Sequence, residues 1–85
     1  MYDLIFSTIA LKKLDKLNKD IQKRIIRSLE RILIRPESYV KRLVGSSYYG
    51  FRVGQYRIIL DIQKNKLIIF VVTLGHRKSI YEKIG

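Results

Sequence analysis

Residues 50–59 read "GFRVGQYRII", two short runs that alternate apolar and polar residues around Gly54-Gln55. A two-residue loop with glycine first is what a type II′ hairpin prefers, so the stretch predicts two antiparallel strands in a definite register. Val53 then pairs with Tyr56, and Arg52 stands opposite Arg57 on the same face of the sheet. Like charges directly opposite one another destabilise a sheet. The pair costs stability unless an anion, resident or visiting, sits between the two guanidinium groups. The other reading is that Asp61 or Glu82 neutralises one of them, or that both side chains splay into water.

Working outward, the hairpin belongs to three successive strands, "YYGFRV", "YRIILDIQ" and "KLIIFVVTLG". The middle one places Tyr56, Ile58, Leu60 and Ile62 on one face and Arg57, Ile59, Asp61 and Gln63 on the other. The last, from Leu67 to Gly75, is polar only at Thr73, which predicts a central strand covered on both faces. A second two-residue turn at Lys64-Asn65 would pair Gln63 with Lys66 and bring Arg57 opposite Val72. The strand runs out at Gly75, so "HRK" (76–78) emerges beside the Gly54 turn. Arg52, Arg57 and Arg77 are therefore expected to converge at one end of the sheet.

Towards the N-terminus, "YDLIFS" predicts a short strand, and Ser7 or Thr8 can cap a helix with Ala10, Leu14 and Leu17 on its apolar face. Asn18 offers a second cap. Ile21, Ile25, Leu29 and Ile32 follow at helical spacing until Arg35-Pro36 stops a helix of roughly residues 19–34. Its other face carries Lys23, Arg24, Arg27 and Arg31, either a solvated face or a surface for phosphates. The order β-α-α-β-β-β gives an α+β fold, two N-terminal helices packed on an antiparallel-rich sheet with a short C-terminal segment. Pattern alone leaves the pairing direction of the first strand open.

The 85 residues suffice for one domain, residues 1–85, and 47% hydrophobic residues are enough for a single small core. Eighteen Lys and Arg against seven Asp and Glu leave a net charge of +11. Residues 1–45 hold eleven basic and five acidic residues and the remainder seven and two, so the excess is not confined to a tail. A self-repelling surplus of this size points to a polyanion, nucleic acid above all. The chain has no cysteine, which excludes disulfides, thiolate zinc sites and a thiol nucleophile and fits a reducing compartment, with the cytoplasm as the expected location. No apolar run reaches the ~18 residues of a membrane span, and no basic region stands ahead of the apolar residues at the N-terminus, so neither secretion nor a membrane span is expected.

One histidine cannot hold a metal alone, and neither a phosphate-binding glycine loop nor a nucleophile elbow is present. No metal or cofactor is expected. What remains is a basic surface rich in tyrosine, including Tyr48, Tyr49, Tyr56 and Tyr81, residues able to stack on bases. RNA can be cut without a metal when its 2′-hydroxyl attacks the adjacent phosphate and fixed cations hold the developing charge. Arginines suit the second task. They suit proton removal poorly, because guanidinium stays protonated.

The opening "ALKKLDKL", the basic second helix ending at a proline, "RLVGS", "RVGQYRI" and "GHRKSIY" together resemble the RelE/ParE superfamily of toxins from toxin-antitoxin pairs, in particular its RelE branch, over nearly the whole chain. The resemblance implies a ribosome-dependent endoribonuclease that cuts messenger RNA in the decoding site and so inhibits translation. It further implies that Arg57 holds the scissile phosphate, that Arg77 is a second transition-state arginine and that Tyr81 lies near the attacking sugar. Arg52 matches one member of a basic pair. The other member, associated with proton transfer, falls at Gly50, which leaves the general base unassigned. Lys41, Arg42, His76 and Lys78 could supply further charge towards RNA or the ribosome, with Lys23, Arg24, Arg27 and Arg31. The partners implied are a cognate RelB-like antitoxin, the ribosome and messenger RNA, with a monomeric free toxin and a heterotetrameric complex. Two alternatives stay open: a ParE-like gyrase poison without phosphodiester chemistry, and a ribosome- or RNA-binding domain that has lost catalysis.

Overall fold

The computed structural model describes residues 1–77, folded as β1 (Asp3–Phe6), α1 (Thr8–Asp15), α2 (Lys19–Ile32), β2 (Lys41–Arg42), β3 (Tyr49–Val53), β4 (Tyr56–Gln63) and β5 (Ile68–His76). Both helices begin where capping chemistry predicts: the Ala10 amide donates to Ser7 Oγ and the Ile21 amide to Asn18 Oδ1, each at 2.9 Å. A short 3-10 turn at Pro36–Ser38 follows α2.

The five strands lie in the order β1-β5-β4-β3-β2, with β1 parallel to β5 and every other pair antiparallel. Helix α1 lies against β5 and α2 against β3. Ile25, Leu29 and Ile32 of α2 meet Phe51 and Val53 of β3, Ile58 and Leu60 of β4 and Ile69, Val71 and Leu74 of β5 in one core. Burial of this apolar surface is the main force holding the two layers together.

The first hairpin has the expected register, with Arg52 opposite Arg57, Val53 opposite Tyr56 and Gly54 at φ 58°. The second does not. Gln63 pairs with Ile68, the loop runs from Lys64 to Leu67, and Leu67 adopts φ 54°. A two-residue turn here would have needed positive φ at Lys64, with no glycine to accept it. Further along, the ladder shifts between Ile59 and Leu60, leaving Val72 as the extra residue of a bulge; the longer loop and the bulge together bring Arg57 opposite Gly75 rather than Val72. The reason is burial. Unbroken alternation from Ile69 and Val71 would turn Thr73 inward and Leu74 outward, whereas the bulge puts Leu74 fully inside.

Two further expectations change. Strand β5 is interior, between β1 and β4, but the middle strand of the five is β4, and β5 is closely buried on its helix side only, at Ile69, Val71 and Leu74. Strand β2 was not foreseen. It consists of two residues, and its pairing leaves the edge of β3 open beyond Gly50.

Candidate functional site

On the sheet face away from the helices, Arg52, Arg57 and Gly50 are brought together by strand alternation. Lys41 joins them because it pairs with Gly50 across β2–β3, and cross-strand partners point to the same side. With Tyr39 these residues line a pocket of about 340 Å³. Arg57 does not stand upright in it. A Cβ placed on Gly50 would lie 2.8 Å from Arg57 Nη2, 2.9 Å from Nε and 3.1 Å from Leu43 Cδ2. The guanidinium therefore lies across the bare backbone of β3, with Nε shielded from solvent. Gly75, opposite Arg57 on the other flank, likewise contributes no side chain. The glycine that sequence reading treated as a missing basic group is the floor on which Arg57 rests.

The second cationic group forms a cleft of about 470 Å³ on the helix side of the β3 edge, where Lys23, Arg24, Arg27 and Arg31 of α2, with Asp20 as the one acidic residue, face Arg52 and Gly54. Arg24 Nη1 comes within 3.2 Å of the Cβ position of Gly54, so the turn and the helix are in close contact. Arg52, exposed at the unpaired edge of β3, borders both the cleft and the pocket. A polyanion crossing this edge would meet positive charge on either side.

The remaining candidates are dispersed. Arg77 donates its amide to Gln55 O at 2.8 Å, which fixes its backbone beside the Gly54 turn, but it is not among the residues lining the Arg57 pocket. His76 stands opposite Tyr56, their rings edge to face at 5.9 Å, and both line a separate hollow with Lys13 and Lys16. The bulge at Val72 thus carries His76 to the helix side, away from Arg57. Arg42 places its guanidinium 6.0 Å from the ring centre of Tyr49 and donates from Nε to Ser46 O, also outside the pocket. Lys78 and Tyr81 lie outside the described residues. Among the described residues, no group of three or more His, Cys, Asp or Glu could hold a metal, and no helix is long and apolar enough to cross a membrane. Tyr39 was missed from sequence because the turn that presents it has no periodic pattern.

No curated protein matches the sequence. A family model described as "ParE toxin of type II toxin-antitoxin system, parDE" matches residues 4–81. Among solved structures, the toxin-antitoxin complex RelBE of E. coli contains a chain similar at 26% identity and TM-score 0.77, covering 89% of this chain and 96% of that one. The RelB-RelE antitoxin-toxin complex from Methanococcus jannaschii matches at 27% identity and TM-score 0.70, covering 95% and 99%. The isolated E. coli RelE toxin matches at 25% identity and TM-score 0.75, covering 98% and 94%. The chain belongs to the ParE toxin family of type II toxin-antitoxin systems, within the RelE/ParE superfamily, and has the fold of a RelE-type toxin.

Proposed function

We propose that this toxin is a ribosome-dependent endoribonuclease that cleaves messenger RNA at the decoding site by attack of a 2′-hydroxyl on the adjacent phosphate. The observation that carries the reading is the pocket around Gly50, where Arg57 lies across the strand beside Arg52 and Lys41. Three cations on one rigid sheet face suit a phosphate whose charge grows in the transition state, and a sheet holds them in place before the substrate arrives. Arg57 and Arg52 would hold the phosphate, and Arg77, pinned to the turn, would contribute from the end of β5. Tyr81 is the candidate for stacking on or orienting the substrate. Lys23, Arg24, Arg27 and Arg31 would bind ribosomal or messenger phosphates, a contact that weakens steeply with salt. An antitoxin partner is proposed by analogy with the RelBE complexes, and cytoplasmic action follows from the proposed target.

The test is to add the purified protein to ribosomes stalled on a defined message and to map RNA ends by primer extension. Cuts confined to the decoding-site codon, absent without ribosomes and absent with Arg57→Ala, are expected. The match to a ParE toxin model favours a second reading, a gyrase poison that works by binding. Absence of both cuts and ribosome binding, together with inhibition of DNA gyrase, would establish that reading instead.

A further inference from the structure

The pocket around Gly50 contains three cationic side chains, and two of them cannot exchange a proton. Arg52 and Arg57 carry guanidinium groups, which supply charge and hydrogen bonds but stay protonated in proteins. Position 50 offers no functional group, and a Cβ there would displace the Arg57 guanidinium from where it lies. Among the described residues lining the pocket, Lys41 and Tyr39 alone can give up a proton. Their placements differ. Tyr39 follows the 3-10 turn and stands about half exposed outside the sheet. Lys41 is exposed too, but it belongs to β2, and its backbone is held by register opposite Gly50. Cross-strand Cβ positions are ~5 Å apart, and Arg57 Nη2 lies 2.8 Å from the Gly50 Cβ position. The flexible four-carbon stem of Lys41 therefore starts one strand away from the guanidinium and can deliver its ammonium to a phosphate that Arg57 holds.

Resting on the nuclease reading, we infer that Lys41 is the proton donor of this pocket, protonating the 5′-oxygen that leaves a ribonucleotide phosphodiester held by Arg57 and Arg52. As the 2′-oxygen bonds to phosphorus, its proton passes to solvent water. The bond from phosphorus to the 5′-oxygen breaks, and that oxygen takes a proton from the Lys41 ammonium. The products are a 2′,3′-cyclic phosphate and a free 5′-hydroxyl, and the Lys41 amine regains its proton from water. Strand β2, two residues long, thereby supplies the proton-transfer group that the neighbouring position of β3, a glycine, lacks.

The experiment uses the full-length protein on stalled ribosomes carrying one of two messages, one normal and one with the 5′-bridging oxygen of the scissile phosphate replaced by sulfur. A thiolate leaves without needing a proton, so the sulfur message bypasses a missing acid. Lys41→Ala should slow single-turnover cleavage of the normal message by ~10²-fold and of the sulfur message by less than ~5-fold. Lys41→Arg, which keeps the charge but not the transferable proton, should fail to restore the normal message. Arg57→Ala should slow both. Thermal unfolding of each variant checks that loss of activity is not loss of fold. Equal slowing of both messages by Lys41→Ala, recovery by Lys41→Arg, or the sulfur rescue appearing in Tyr39→Phe instead would overturn the inference while leaving the nuclease intact. No cutting of either message by the parent chain would overturn the nuclease reading, and this inference with it.

Discussion

Even-numbered residues of β4, Ile58 and Leu60 foremost, are buried beneath the helices, while Arg57, next in the chain, faces the other way into a pocket of cations. The two sets share one backbone and one set of ladder hydrogen bonds, so what separates them is side-chain direction alone. One face gains stability by removing apolar surface from water. The other, apart from the buried Ile59, gathers positive charges that repel one another and that an anion among them would relieve. A strand built this way lets stability and chemistry be perturbed independently at adjacent positions.

The strongest blow to the helix side is Leu60→Ala. It should lower unfolding free energy by about 2–5 kcal/mol, measured by chemical denaturation, and a value near zero would mean that the core is not organised around β4. Next comes Arg57→Ala, which should reduce cleavage at least ~10²-fold while lowering unfolding free energy far less than Leu60→Ala does, since the side chain lies outside the apolar core. A large fall in stability would erase the distinction between the faces. Gly50→Ala sharpens it further. The new methyl displaces the flexible end of Arg57 and not backbone. Cleavage should therefore drop about tenfold or more while the melting transition barely moves, because small misplacements of a catalytic group are costly in rate. The smallest effect should come from Asn18→Ala, which removes the cap of α2 and costs ~1 kcal/mol by thermal unfolding, with cleavage by the folded protein unchanged.

Where local chemistry is decisive, the sequence was legible. Gly54 specifies a tight turn, and alternation on either side of it leaves one register for β3 and β4, so the facing arginines could be read directly. The second hairpin lacks such a signal. Its loop is settled by a leucine in a left-handed conformation, and its bulge by the competition between Thr73 and Leu74 for the core, which depends on the packed helices. That bulge is also why His76 faces the helix side, a change of side that residue spacing could not reveal. Lys41 was visible as a basic residue but not as part of the Arg57 pocket, because a two-residue strand leaves no periodicity. Gly50 read as a deficit. Its use as clearance depends on the direction in which a long side chain from the next strand lies down.

The parallel pairing of β1 with β5 links the two ends of the described chain, as in the bond from Ser7 Oγ to Val72 O across 65 residues of sequence. During synthesis the first strand has no partner until the last one has left the ribosome, and closing so long a loop is entropically expensive before any contact rewards it. Strand β5 also completes the core beneath the arginine face. A chain interrupted before β5 therefore has no finished sheet on which to set its cations. The arginine face is assembled late, only once β5 has been joined, and the order in which the ribosome builds the chain delays the moment at which that face is complete.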